Sequence, residues 1–179
     1  LIRNRSFIIF MNILVTGGGG YTGIVLVNKL LNLNYKVTVV DTFWFGFFLK
    51  KHKNLKVFKS DVRNISEINL RGVDAIIHLA SIANDPMSEL DKNLSWETSS
   101  LATMQLVEKA IKFGVKRIIY ASSGSVYGIK NEKNVTEKLS LKPISLYNKV
   151  KMITERVLLS YNKKIVDSVK GEVDFDSME

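Results

Sequence analysis

The 179-residue chain, 46% hydrophobic and 24% charged, can bury one sizeable core, so a single globular domain is expected. It has no cysteine, which excludes disulfides, thiolate metal sites and a cysteine nucleophile, and its two histidines, His52 and His78, leave little for a histidine-built metal site. The formal net charge of +9 raises the question of nucleic acid, yet the lysines are spread along the chain, only Lys50-Lys51-His52-Lys53 clusters, and no RNA- or DNA-binding motif is visible.

No apolar run approaches the roughly 20 residues that a membrane span needs. The absence of cysteine is compatible with a reducing cytoplasm. A cytoplasmic protein is expected, with no membrane partner and no metal, and with nucleic acid disfavoured. Phe7–Val15 is apolar apart from Asn12 and follows Arg3 and Arg5, the pattern of a signal peptide. Against that reading, Asn12–Thr16 is needed as a first strand and no small-residue cleavage site separates the two. Met11 stands directly before the strand. Residues 1–10 are therefore read as a tag, an upstream extension or a mis-called start.

In chain order, short apolar strands alternate with helical patterns. Strands are predicted at 12–16, 36–40, 55–59, 74–79 and 116–121, and helices at 21–33, 64–70, 97–113 and 145–160. This alternation predicts an α/β fold of the Rossmann type: a doubly wound parallel sheet with helices on both faces. In the 97–113 segment Leu101, Met104, Leu106, Val107, Ala110 and Ile111 recur at helical spacing, and Gly114 is placed to end the helix. After Tyr161 the chain turns acidic; Ile165-Val166 could begin a sixth strand, but the end reads as truncated or divergent. The organisation expected is an extension over 1–10, a dinucleotide-binding domain over 11–161 and a tail over 162–179.

The first strand runs into Gly17-Gly18-Gly19-Gly20-Tyr21-Thr22-Gly23, and Asp41 closes the second. Such a turn suits a dinucleotide diphosphate. Gly17 lets the chain turn sharply, Gly20 lets the backbone approach the pyrophosphate, and Gly23 lets the helix pack on the sheet. The helix then starts at Tyr21 and Thr22 with free N–H groups and the positive end of its dipole toward the phosphates. Asp41, about 20 residues beyond the turn, can accept both ribose hydroxyls, and a 2′-phosphate there would meet repulsion. The reading is NAD rather than NADP. Glycines also make ordinary turns, and it is the strand-turn-helix setting with Asp41 that raises the signal.

Two further segments carry chemistry. The buried strand Ile118–Ala121 runs into Ser122-Ser123-Gly124-Ser125-Val126-Tyr127-Gly128, and ligands of open α/β sheets collect at the carboxyl ends of strands. Serines after a strand are also common turn residues. Tyr147 and Lys151 are four apart, so on a helix they share a face. An adjacent ammonium favours a phenolate, and a phenol so tuned can exchange a proton with a sugar hydroxyl while hydride moves to or from nicotinamide.

With these residues in hand the chain resembles the extended short-chain dehydrogenase/reductase family, the NAD-dependent nucleotide-sugar epimerases and dehydratases, from about Met11 to Tyr161. The resemblance rests on Thr16–Gly23, Asp41, Asp61-Val62, His78-Leu79-Ala80, Ser122–Gly128 and Tyr147–Lys151, all in family order. It implies that Asp61 and Val62 sit beside the adenine and that Leu79 and Ala80 line the cofactor cleft. Ser123 would hydrogen-bond the reacting hydroxyl, with Gly124 and Ser125 beside the substrate. Tyr147 would be the acid/base, and Lys151 would also hold the nicotinamide ribose. His78 is then a strand-end residue, and Tyr127 packs or touches substrate. Relatives commonly dimerise by two helices per subunit, here 97–113 and 145–160.

Two departures shape the functional expectation. The family's 4,6-dehydratases carry Thr-Asp-Glu where this chain has Ser123-Gly124-Ser125, so the two carboxylates dehydration would use are missing and epimerisation is favoured. Many relatives carry Asn near Thr98–Ser99, where this chain offers hydroxyls. Full-length relatives are longer, and the added part forms most of the substrate lobe. Without it nothing encloses a nucleotide sugar. The chain is expected to bind NAD weakly and to turn over poorly, if at all. The rival readings are a sugar-nucleotide reductase or dehydrogenase using the same residues, and a non-catalytic NAD-sensing or RNA-associated relative.

Overall fold

The computed structural model describes residues 11–161; the expected extension over 1–10 and the tail with its sixth strand lie outside the described residues. Five strands, β1 (Asn12–Thr16), β2 (Lys36–Asp41), β3 (Leu55–Lys59), β4 (Ala75–His78) and β5 (Arg117–Tyr120), form one parallel sheet in the order β3-β2-β1-β4-β5. The chain builds outward from β1 to β3, then returns to the other side of β1 with β4. The strand order thus reverses between β1 and β4, and ligands of such sheets bind outside the carboxyl ends of the strands at such a switch point.

The side-chain alternation of β1 explains why both faces are covered. Ile13 and Val15 point to one side and pack with Val37, Val39 and the buried stripe Val27, Leu30 and Leu31 of α1 (Tyr21–Asn32). Leu14 points to the other, into a core shared with Ile76, Ile118, Leu106, Val107 and Ala110. The last three belong to α4 (Ala102–Lys112), and Leu158 joins them from α5 (Leu146–Ser160). A sheet buried on both faces needs continuous apolar strands, which is what β1 and β4 supply.

The β4–β5 crossover differs from expectation. The helix begins well before residue 97, as α3 (Lys92–Trp96), and continues through a π turn (Glu97–Leu101) into α4. A short α2 (Asp85–Leu90) precedes it, started by Asn84, whose side chain accepts from the Met87 amide, and by Pro86 near its first position. The helix expected at 64–70 is only a 3₁₀ turn, Ile65–Glu67. Ile68 and Leu70 still reach the core, Ile68 in extended conformation just past that turn. Gly114, with φ +71°, ends α4 as expected.

Candidate active site

Parallel strands bring the turn after β1, the Leu79-Ala80 segment after β4 and the Ala121–Ser125 segment after β5 to one edge of the sheet. Gly17 has φ +72°, and a side chain there would lie 2.6 Å from the Ala80 amide nitrogen. The turn is thus packed directly on the cleft segment with which the sequence grouped it. At Gly23 an added Cβ would lie 2.6 Å from Gly18 Cα, so the helix can close on the turn only without one. Gly20 differs: a Cβ there would meet nothing nearer than Gly17 O at 3.4 Å, so the protein itself leaves this flank open. Gly20 is the N-cap of α1, no side chain caps it, and the first turn holds no acidic residue. These features fit a diphosphate at the helix start.

Asp41 faces the same turn. Its Oδ2 accepts from the Gly19 amide at 2.9 Å and its Oδ1 from the Phe43 amide at 2.7 Å. Each oxygen keeps a lone pair for a ribose hydroxyl. Tyr21 and Thr22 are exposed at the helix start. Asp61 is held by Arg63, whose guanidinium approaches to 2.8 Å and keeps the carboxyl below its usual range. Val62 is buried in the core, so its side chain is used in packing.

The second half of the site is organised by α5. Three of its residues reach the segment after β5: Asn148 Oδ1 accepts from Ser125 Oγ at 2.6 Å, Lys151 Nζ donates to the Ala121 carbonyl at 2.8 Å, and Glu155 accepts from Ser122 Oγ. Their spacing, three then four, is one helix face. Tyr147 begins that face, half-buried, with its ring centroid 5.9 Å from Lys151 Nζ. Ser123 Oγ lies 2.7 Å from Ser125 Oγ. Because Ser125 donates onward to Asn148, Ser123 is the donor in that pair, with lone pairs left over. Gly124 and Ser125 are exposed beside it.

Lys151 is only 4% exposed, and burial lowers its pKa to about 8. It also lies 4.8 Å from the Tyr120 ring. His78 is fully enclosed, and burial, followed by the Lys151 charge, pushes its pKa down to about 3. Thr16 Oγ1 sits 2.6 Å from Nδ1 and Thr103 Oγ1 sits 2.7 Å from Nε2. Thr103 gives its proton to the Ser99 carbonyl, so Nε2 carries the ring hydrogen and Nδ1 accepts from Thr16. His78 is a neutral clip between β1 and α4, not a metal ligand.

The partners of several of these residues were not readable from sequence. Thr16 and Thr103 are distant in sequence from His78, so only the fold pairs them. Ser99 Oγ lies 3.0 Å from both the Ile82 amide, which donates to it, and Ser81 Oγ. It ties the loop after β4 to the π turn. Glu155, one turn beyond Lys151, and Asn148, beside Tyr147, could have been found from helical spacing. Phe43, the ring beside Gly19, carries no such signal.

A glycine turn on a helix start, a strand-end carboxylate and a Tyr–Lys helix face, all at one switch point, fit a dinucleotide-binding site. The NAD dependent epimerase/dehydratase family model matches residues 13–169, and the chain belongs to that family. A UDP-glucose 4-epimerase of Streptococcus mutans serotype c is 30% identical over 154 residues, which are 83% of this chain and 46% of that protein. The UDP-glucose 4-epimerase of Thermotoga maritima with UDP-glucose superposes with a TM-score of 0.77 at 32% identity, covering 84% of this chain and 51% of that one. DesIV, a dTDP-glucose 4,6-dehydratase of Streptomyces venezuelae solved with NAD and TYD, gives 0.79 at 30% identity, covering 84% and 51%. The chain spans about half the length of the relatives it matches.

Proposed function

We propose that the chain is the cofactor-binding part of an NAD-dependent nucleotide-sugar epimerase. The observation that carries this reading is the α5 face: Lys151, 5.9 Å from the Tyr147 ring, binds the Ala121 carbonyl where the serine segment begins, at the same sheet edge as an open glycine turn. Gly17, Gly20, Tyr21, Thr22, Gly23 and Asp41 hold the diphosphate and the adenosine ribose. Asp61 and the backbone of Val62 flank the adenine, and Leu79 and Ala80 line the cleft. NAD, when bound, supplies a reversible hydride acceptor.

The chain's own residues move the proton. Tyr147 takes it from a sugar hydroxyl and returns it after the sugar has turned its other face. Lys151 steadies the negative charge on the phenol and holds the nicotinamide ribose. Ser123 donates to the reacting oxygen once its hydroxyl rotates away from Ser125, and Gly124 and Ser125 border the sugar. Epimerisation is favoured over dehydration because Gly124 and Ser125 bring no carboxylate to this position. Exposed Leu101, Ile153 and Leu159 on the two helices suit a homodimer.

Joining the chain to the C-terminal half of an epimerase relative and analysing products from a panel of UDP-sugars tests the assignment. Interconversion of epimers without net change in cofactor is expected. Net consumption of NAD or its reduced form would mark a reductase or dehydrogenase instead. Tyr147→Phe in the same chimaera should cut turnover by about 10²–10⁴-fold while NAD binding persists; undiminished turnover would remove the role given to Tyr147.

A further inference from the structure

The loop between β2 and β3 carries Phe43-Trp44-Phe45-Gly46-Phe47-Phe48-Leu49, then Lys50-Lys51-His52-Lys53. Its ends are anchored. The Phe43 ring sits against Gly19, where a Cβ would lie 2.6 Å from it, and Leu49 is buried in the α1-side core. The tip between them faces outward: Trp44 is 53% exposed, Phe45 77% and Phe48 65%. A hydrogen bond from the Gly46 amide to the Phe43 carbonyl, 3.2 Å, and φ +110° at Gly46 hold the tip as a tight turn. Phe47 stacks obliquely on Phe43 at 4.9 Å, which stiffens the turn further.

The charge beside this tip is of one sign. Between Asp41 and Asp61 the chain has five lysines and no carboxylate, more than half of its net charge of +9. Among the described residues none of the five forms an ion pair. Edge strand β3 continues the pattern, with Lys56, Phe58 and Lys59 exposed. Water-facing aromatic rings next to unpaired cations match the two layers of an anionic bilayer surface: rings at the acyl boundary and ammonium groups at the phosphates. A single-stranded nucleic acid fits less well, because its stacking rings and phosphate-binding cations would alternate along a groove. Here the rings form one tip and the cations follow it.

We propose that the β2–β3 loop docks this protein on anionic phospholipid membranes. The inference does not rest on the reaction proposed above. It departs from the expectation of no membrane partner, which came from the lack of a spanning segment and did not address a surface contact.

Co-sedimentation of the 179-residue chain with vesicles tests it. Binding is expected to phosphatidylcholine vesicles containing phosphatidylglycerol, not to phosphatidylcholine alone, and should weaken with added salt. Each of Lys50→Gln, Lys51→Gln and Lys53→Gln should weaken binding about fivefold. Phe45→Ser with Phe48→Ser should abolish it while leaving the unfolding temperature unchanged, since both rings are already exposed. Absence of binding, equal binding to neutral vesicles, or binding indifferent to the aromatic pair would overturn the proposal. So would a preference for a single-stranded RNA oligomer, or self-association of the chain that the aromatic pair abolishes.

Discussion

Lys151 is the residue whose physical state most constrains the site. An unfolded lysine holds its proton to a pKa of 10.5, whereas burial lowers the folded value to about 8. Between these two values the unfolded chain binds more protons, so stability rises with pH through that window. Below it the cost of burying the ammonium stands in full, on the order of a few kcal/mol. Lys151→Met should remove this component: thermal unfolding from pH 7.5 to 10 should show the wild type gaining on the variant. A constant difference would contradict it. Tyr120 makes the opposite case, because its buried hydroxyl meets no hydrogen-bond partner among the described residues, and burial raises its pKa. Tyr120→Phe should be neutral or stabilising by about 1 kcal/mol in urea unfolding, and a loss would reveal a hidden hydrogen bond.

At the scale of elements, the π turn Glu97–Leu101 interrupts the crossover helix with a run of hydroxyl side chains. It widens one turn of a continuous helix and presents Ser99 and Ser100 to different partners. Ser99 satisfies the Ile82 amide, and Ser100 Oγ meets Thr154 Oγ1 of α5 at 2.6 Å. Ser99→Ala strands the Ile82 N–H and should cost about 1–3 kcal/mol of stability, read by urea titration. The sheet was legible because five apolar runs separated by turn signals admit few arrangements. The placement of Asp41 at a strand end and of Tyr147 and Lys151 on one helix face was legible because it follows from strand and helix periods. The π turn, α2 and the His78 clip were not. Short helices leave little periodicity, and hydrogen bonds between distant hydroxyls leave no trace in local pattern. The 64–70 helix failed for a related reason, since Ile65 and Ile68 at helical spacing pack against the core, Ile65 only partly buried, without forming more than one turn.

For the whole molecule, the open flank at Gly20 predicts linkage between ligand and fold. NAD at 100 times its dissociation constant should stabilise the chain by about 2.7 kcal/mol, measured as a shift in unfolding temperature. Gly20→Leu should leave the fold intact, because no protein atom crowds that position, yet erase the shift. If the variant still responds to NAD, the diphosphate does not lie there. No helix among the described residues is long and apolar enough to cross a membrane.

The carboxylate of Asp41 grips two amides at once, one in the glycine turn and one at the root of the aromatic tip. An amide side chain at this position would point hydrogens at one of those N–H groups, releasing either the turn or the tip. Engineering this scaffold to accept a phosphorylated ribose is therefore more than a swap of charge at residue 41: both flanking backbones would have to be rebuilt together.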